Sequence, residues 1–83
     1  MSAEKSVQVR YFASMREQRG LGSETVSTRA TDPASLYREL AEAHNFNLSQ
    51  HLVRFAVNGE FVAAGDPLSD GDELCLIPPV AGG

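Results

Sequence analysis

One stretch of this 83-residue chain carries a helical stripe long enough to demand a partner surface, and the apolar runs flanking it alternate in period two. Asp32 precedes Pro33, which places a carboxylate where it accepts hydrogen bonds from the free N–H groups of a first turn. The proline sits where its missing N–H costs nothing. Leu36, Leu40 and Ala43 then recur at helical spacing with Tyr37, Ala41 and His44 alongside, while Arg38, Glu39 and Glu42 fall on the outer side. The spacing predicts a helix over 33–45, ending at Asn45, with 46–50 as a connection. Residues 7–12 alternate Val7, Val9 and Tyr11 against Gln8, Arg10 and Phe12. Residues 52–58 alternate Phe55 and Val57 against Arg54 and Ala56. Both read as strands. Residues 73–77 are apolar enough for a central strand, and 24–30 are polar enough for a sheet edge.

The short segments between these elements carry turn chemistry. Residues 14–19 form a brief helical turn closed by Gly20. Asn58-Gly59 turns the chain back into a short strand over 60–63, and Ser69-Asp70-Gly71-Asp72 turns it again. The order is strand, strand, helix, strand, short strand, strand. A single amphipathic helix in such a chain must bury its stripe on one face of a mixed sheet. The expected class is α+β, a β-grasp (ubiquitin-like) arrangement of four to five strands on one main helix, with first and last strands side by side. It divides as a domain over 1–77 and an extended tail over 78–83.

Composition narrows the function classes. A chain this short makes one domain, with little room for an enclosed pocket holding several catalytic groups. Seven basic against eleven acidic residues give a net charge of -4, which argues against nucleic acid as a partner. No apolar run approaches a bilayer's thickness, and residues 1–6 lack the apolar stretch of a signal peptide. The expectation is a soluble, reduced, cytoplasmic protein with no membrane partner. Cys75 is the sole cysteine, so no internal disulfide and no cysteine-rich metal site can form.

The end of the chain is unusual. A buried-type strand runs into Pro78-Pro79, then Val80, Ala81, Gly82 and Gly83. A proline pair favours a stiff, extended exit, and six extended residues reach about 20 Å. Gly82 and Gly83 have no side chain, so a partner's channel can close tightly round the backbone. A frayed end with glycines by chance is the alternative. The proline pair directly after the strand favours delivery of a terminal carboxyl.

Residues 67–73 (Pro-Leu-Ser-Asp-Gly-Asp-Glu) followed by Pro78–Gly83, together with Phe12–Glu17 and Ala56-Val57-Asn58, resemble segments of the molybdopterin synthase small-subunit family, the MoaD family. Some relatives carry an aromatic residue where this chain has Ile77. The resemblance implies a ubiquitin-like sulfur carrier. An E1-like, MoeB-type enzyme uses ATP to adenylate the carboxyl of Gly83, and sulfur then replaces one oxygen to give a thiocarboxylate. The tail, Pro78 to Gly82, enters a MoaE-like large subunit that holds the pterin precursor, within a heterotetramer, and two sulfur deliveries build the dithiolene. The chain itself binds no cofactor. An α-carboxyl is an anion at neutral pH and a poor electrophile, which is why adenylation is needed. No general base lies near the chain's end, so acid–base groups must come from the partner and the chain is not an enzyme alone.

In the β-grasp reading the helix covers Val7, Val9, Tyr11, Phe55, Val57, Leu74 and Leu76. The opposite face then carries Phe12, Ala56, Cys75 and Ile77, with Arg10 and Arg54 beside them. An apolar patch with a basic rim is a docking face, unless loops cover it, and a one-residue slip in register would exchange the two faces. His44 and His51 read as surface or capping residues, and Cys75 as structural, since no activating partner can be placed beside it. Two rivals stand beside the first reading. One is a carrier for another pathway, cysteine or thiamine synthesis, or a ubiquitin-like modifier. The other is an interaction module whose tail does no chemistry.

Overall fold

The computed structural model describes residues 4–79. The elements are β1 (Lys5–Tyr11), α1 (Ala13–Arg19), β2 (Ser23–Thr28), α2 (Pro33–His44), a single 3-10 turn (Gln50–Leu52), β3 (Arg54–Val57), β4 (Glu60–Val62) and β5 (Glu73–Ile77). One five-stranded sheet runs β2-β1-β5-β3-β4. β1 and β5 pair in parallel, and the other pairs are antiparallel. This is the expected β-grasp, with first and last strands adjacent at its centre.

The helix forms where its cap chemistry predicts. Asp32 Oδ1 accepts from the Ser35 N–H at 2.8 Å, and the Ser35 hydroxyl lies 3.4 Å from the Asp32 N–H, closing a reciprocal capping box. Those bonds hold the Asp32 carboxyl below the ordinary carboxylate range. Asn45 ends α2 in the left-handed conformation, φ 57°. Leu36, Tyr37 and Leu40 are buried against Val7, Val9, Tyr11, Phe55, Leu74 and Leu76. Each such side chain taken fully out of water contributes about 1.5–3 kcal/mol. β2 is the polar edge. Its one deeply buried polar group, Thr28, is satisfied: the hydroxyl donates to Glu39 at 2.7 Å and accepts from the Ala30 N–H at 2.9 Å.

Four local expectations are corrected. β1 starts at Lys5 and stops at Tyr11, because Phe12 turns out of the strand to become the N-cap of α1. Ala43 is exposed. The end of the helical stripe is covered instead by Phe46, whose ring stacks on Tyr37 at 6.2 Å and meets Tyr11 edge-on at 5.8 Å. Leu52 belongs to the 3-10 turn and is 48% exposed. The Leu52 N–H donates to Ser49 O and the Val53 N–H to Gln50 O, so strand pairing begins only at Arg54. Val57 is partly buried and packs at the border of the core.

Candidate functional site

The end of β5 and the start of α1 meet at one corner of the sheet. Tyr11 is paired with Leu76, so Phe12 and Ile77 leave their strands side by side. The chain bends at Ala13, which holds φ 51°, a left-handed conformation that a residue bearing a Cβ adopts only under constraint. The bend sets α1 beside the departing β5. Phe12, Ala13, Ile77, Pro78 and Pro79, with Ser14 and the acidic Glu17, then line a mainly apolar groove of about 500 Å³. Pro78 is buried and Pro79 exposed, so the exit of the last strand is fixed to the domain for one residue and then released at the surface.

A polar cluster anchors the other end of α1. Glu24 of β2 accepts from the Tyr11 hydroxyl at 2.6 Å and from the Arg19 guanidinium by two bonds of 2.8 Å, with His44 Nε2 3.9 Å away. The Arg19 hydrogen bonds hold the Glu24 carboxyl below its ordinary range, against an opposing push from burial. Burial, reinforced by Glu24, raises the Tyr11 phenol well above its usual value. Gly20 closes α1 at φ 83° with its N–H on Arg16 O. The helix lining the groove is therefore tied at both ends.

The sheet face away from α2 carries the remaining expected residues. Arg10, Cys75 and Ala56 are direct cross-strand neighbours, and Arg54 faces Ile77. Phe12 is 37% exposed with the Arg10 guanidinium 5.7 Å from its ring centroid, and Arg10 also lies 3.9 Å from Glu73. Cys75 and Ile77 are half-buried. Ala56 shares the face but is only 7% exposed, because its methyl lies between Cys75 and Phe61; the surface there belongs to its neighbours. Phe61 is the residue the sequence reading missed. It is 64% exposed, with the Arg54 guanidinium 4.5 Å above its ring. The signal was available: a two-residue Asn58-Gly59 turn sets Phe61 opposite Ala56.

The Cys75 thiol is pushed up first by burial and then by the Glu73 carboxylate, with Arg10 opposing. A raised thiol holds little thiolate at neutral pH, and this favours a structural cysteine. Among the described residues no three His, Cys, Asp or Glu side chains gather to hold a metal ion, and no helix is long and apolar enough to cross a membrane. Val80, Ala81, Gly82 and Gly83 lie outside the described residues.

The ThiS family model matches residues 9–83, from the first strand through the double glycine. The chain belongs to the ThiS family. Its expected kinship with the small subunit of molybdopterin synthase holds as well. It is 38% identical over 82 residues to the human molybdopterin synthase sulfur carrier subunit, covering 93% of each chain. Among solved structures it is similar to a chain in the complex of subunits 1 and 2 of the molybdopterin-converting factor from Helicobacter pylori, with 30% identity, a TM-score of 0.62 and coverage of 94% and 99%. It is also similar to small archaeal modifier protein 1 of H. volcanii, with 25% identity, a TM-score of 0.75 and coverage of 92% and 99%.

Proposed function

We propose that this ThiS-family chain is the sulfur-carrier small subunit of a molybdopterin synthase. The supporting observation is the corner where β5, buried at Leu74 and Leu76, passes into Pro78-Pro79 beside an apolar groove and an arginine-rimmed sheet face. Such a corner suits a tail that enters a second protein while the domain behind it docks. The Helicobacter relative is named as one half of a two-subunit complex, which fits a large-subunit partner here.

The chemistry follows from the terminal carboxyl. An E1-like enzyme and ATP convert the Gly83 carboxylate to an acyl-adenylate. Sulfide-level sulfur displaces AMP and gives a thiocarboxylate. Its soft sulfur attacks the pterin precursor held by the large subunit as an oxygen substituent leaves. Water then cleaves the acyl C–S bond, so the sulfur stays on the pterin and Gly83 returns to a carboxylate. Acid–base groups and oxyanion donors come from the partner. The carried sulfur is on Gly83 and not on Cys75, whose thiol is disfavoured as a nucleophile.

Intact mass after co-expression with an activating system tests this reading, with one terminal oxygen replaced by sulfur as the expected result. Deleting Gly83 abolishes sulfur transfer and leaves thermal stability unchanged. Molybdopterin formation by the truncated chain would overturn the proposal. Phe12→Ala and Ile77→Asp test the docking face: both weaken binding to the large subunit while circular dichroism shows an intact fold. Loss of the fold would reassign them to the core. The likeness to an archaeal modifier protein favours a second reading, in which the tail is conjugated to other proteins. Recovery of Gly83 in isopeptide linkage to other proteins, without co-purification of a large subunit, would select it.

A further inference from the structure

The seven basic residues are six arginines and one lysine, Lys5. The bias has a chemical consequence if the terminus is activated as in the proposed function, a reading on which this inference rests. A lysine releases its proton near 10.4 and supplies some neutral amine at cellular pH, whereas a guanidinium stays charged and supplies none. A neutral amine attacking an acyl-adenylate forms a C–N bond as the C–O bond to AMP breaks. AMP leaves with the electron pair, and the amine's proton passes to solvent. The product is an amide, which no sulfur nucleophile displaces under these conditions, so the carrier would be spent.

The structure keeps the only side-chain amine away from this fate. β1 and β5 run in parallel, and Tyr11 is paired with Leu76, so Ile77 is level with position 12. Lys5 lies seven residue steps back along β1, about 23 Å at 3.3 Å per residue. Its Nζ donates to Ala30 O at 2.6 Å, past the end of β2, which holds the amine at the end of the sheet remote from Pro78. Residues 78–83 span at most about 20–22 Å fully extended. Pro78, however, is buried against the domain one step further from Lys5, so only residues 79–83 can turn back. They span at most about 17–18 Å against a separation of about 26 Å, and the terminus falls short even of an extended lysine side chain. The cations close to the exit are Arg54, opposite Ile77, and Arg10, beside Phe12. Both supply positive charge and a flat face for aromatic rings without supplying a nucleophile.

We infer that the chain is built so that its activated terminus cannot acylate its own side-chain amines. Arginine stands where a lysine would be reached, and the one lysine is held at the opposite end of the sheet. The test uses the full chain with Gly83 prepared chemically, by intein cleavage, as a mercaptoethanesulfonate thioester. A Cys75→Ala background removes thiol exchange. At about 10 μM and mildly alkaline pH, this chain hydrolyses to the free acid with no isopeptide at Lys5, read by intact mass and peptide mapping. Adding Arg54→Lys puts an amine opposite Ile77. A short tether gives an effective concentration in the mM range, so isopeptide at residue 54 forms about 100-fold faster than any bimolecular linkage. Isopeptide at Lys5 in the parent at a comparable rate would overturn the inference. So would an Arg54→Lys chain that forms no more than the parent. Because the thioester is made without an activating enzyme, either result is independent of whether the chain carries sulfur, which the Gly83 deletion decides.

Discussion

Replacing Tyr11 by Phe removes one atom from the cluster that anchors α1, and its cost follows from the structure. Tyr11 is buried, and its hydroxyl reaches Glu24 Oε2 at 2.6 Å. A hydrogen bond to a charged acceptor contributes about 1.5–3 kcal/mol, and the partial exposure of Glu24 places this one in the lower half, at about 1.5–2 kcal/mol. For a domain of this size that is a fall in Tm of about 6–16 °C. The pH dependence carries the sharper test. Arg19's hydrogen bonds, with Tyr11's help, hold the folded Glu24 carboxyl below its unfolded value. Its contribution is therefore complete above about pH 4.3 and is lost as the pH falls through the lower, folded value. The difference between wild type and Tyr11→Phe should be constant from about pH 8 to 5. Below Glu24's folded value it should shrink by about half, to that of a neutral bond of about 1 kcal/mol. Urea unfolding at several pH values measures it. A difference below about 0.5 kcal/mol at pH 7, or one that does not change on acidification, would refute the assignment of Glu24 as a charged acceptor.

Two further substitutions probe the frame that holds the exit. Leu74→Ala removes a fully buried side chain from the central strand, next to Val9 and Val57. It should cost about 2–5 kcal/mol, read as a large drop in the urea midpoint. Asp32→Ala breaks the capping box of α2 and should cost about 1 kcal/mol with an unchanged m-value.

The fold was legible because its determinants are local and repetitive. Val7, Val9 and Tyr11 alternate with polar residues, so one register satisfies them. Asp32-Pro33 fixes the start of α2, and the polarity of Ser23–Thr28 assigns it to an edge. What escaped was set by long-range packing. Phe46 follows the helix with no periodic partner, and only the folded chain shows its ring between Tyr11 and Tyr37. Glu24 sits in a segment that reads as bland, and its three partners come from β1, α1 and α2. The groove could not be foreseen either. It depends on Phe12 leaving its strand and on the bend at Ala13, a backbone choice that alanine does not advertise.

β5 couples these levels. It is central in the sheet, paired with β1 on one side and β3 on the other, so its backbone is held by two ladders. Leu74 and Leu76 enter the core completely, while Cys75 and Ile77 alternate onto the outer face. The tail is therefore rooted in the strand least able to detach without global unfolding. Under the proposed function, in which the terminus enters a second protein, the domain needs such a root. An edge strand such as β2 or β4, held by one ladder, would peel first. Arg54 and Arg10, on the strands flanking β5, keep their place relative to that root for the same reason. The groove, the two arginines and the exit as far as the buried Pro78 are thus carried by three neighbouring strands of one sheet.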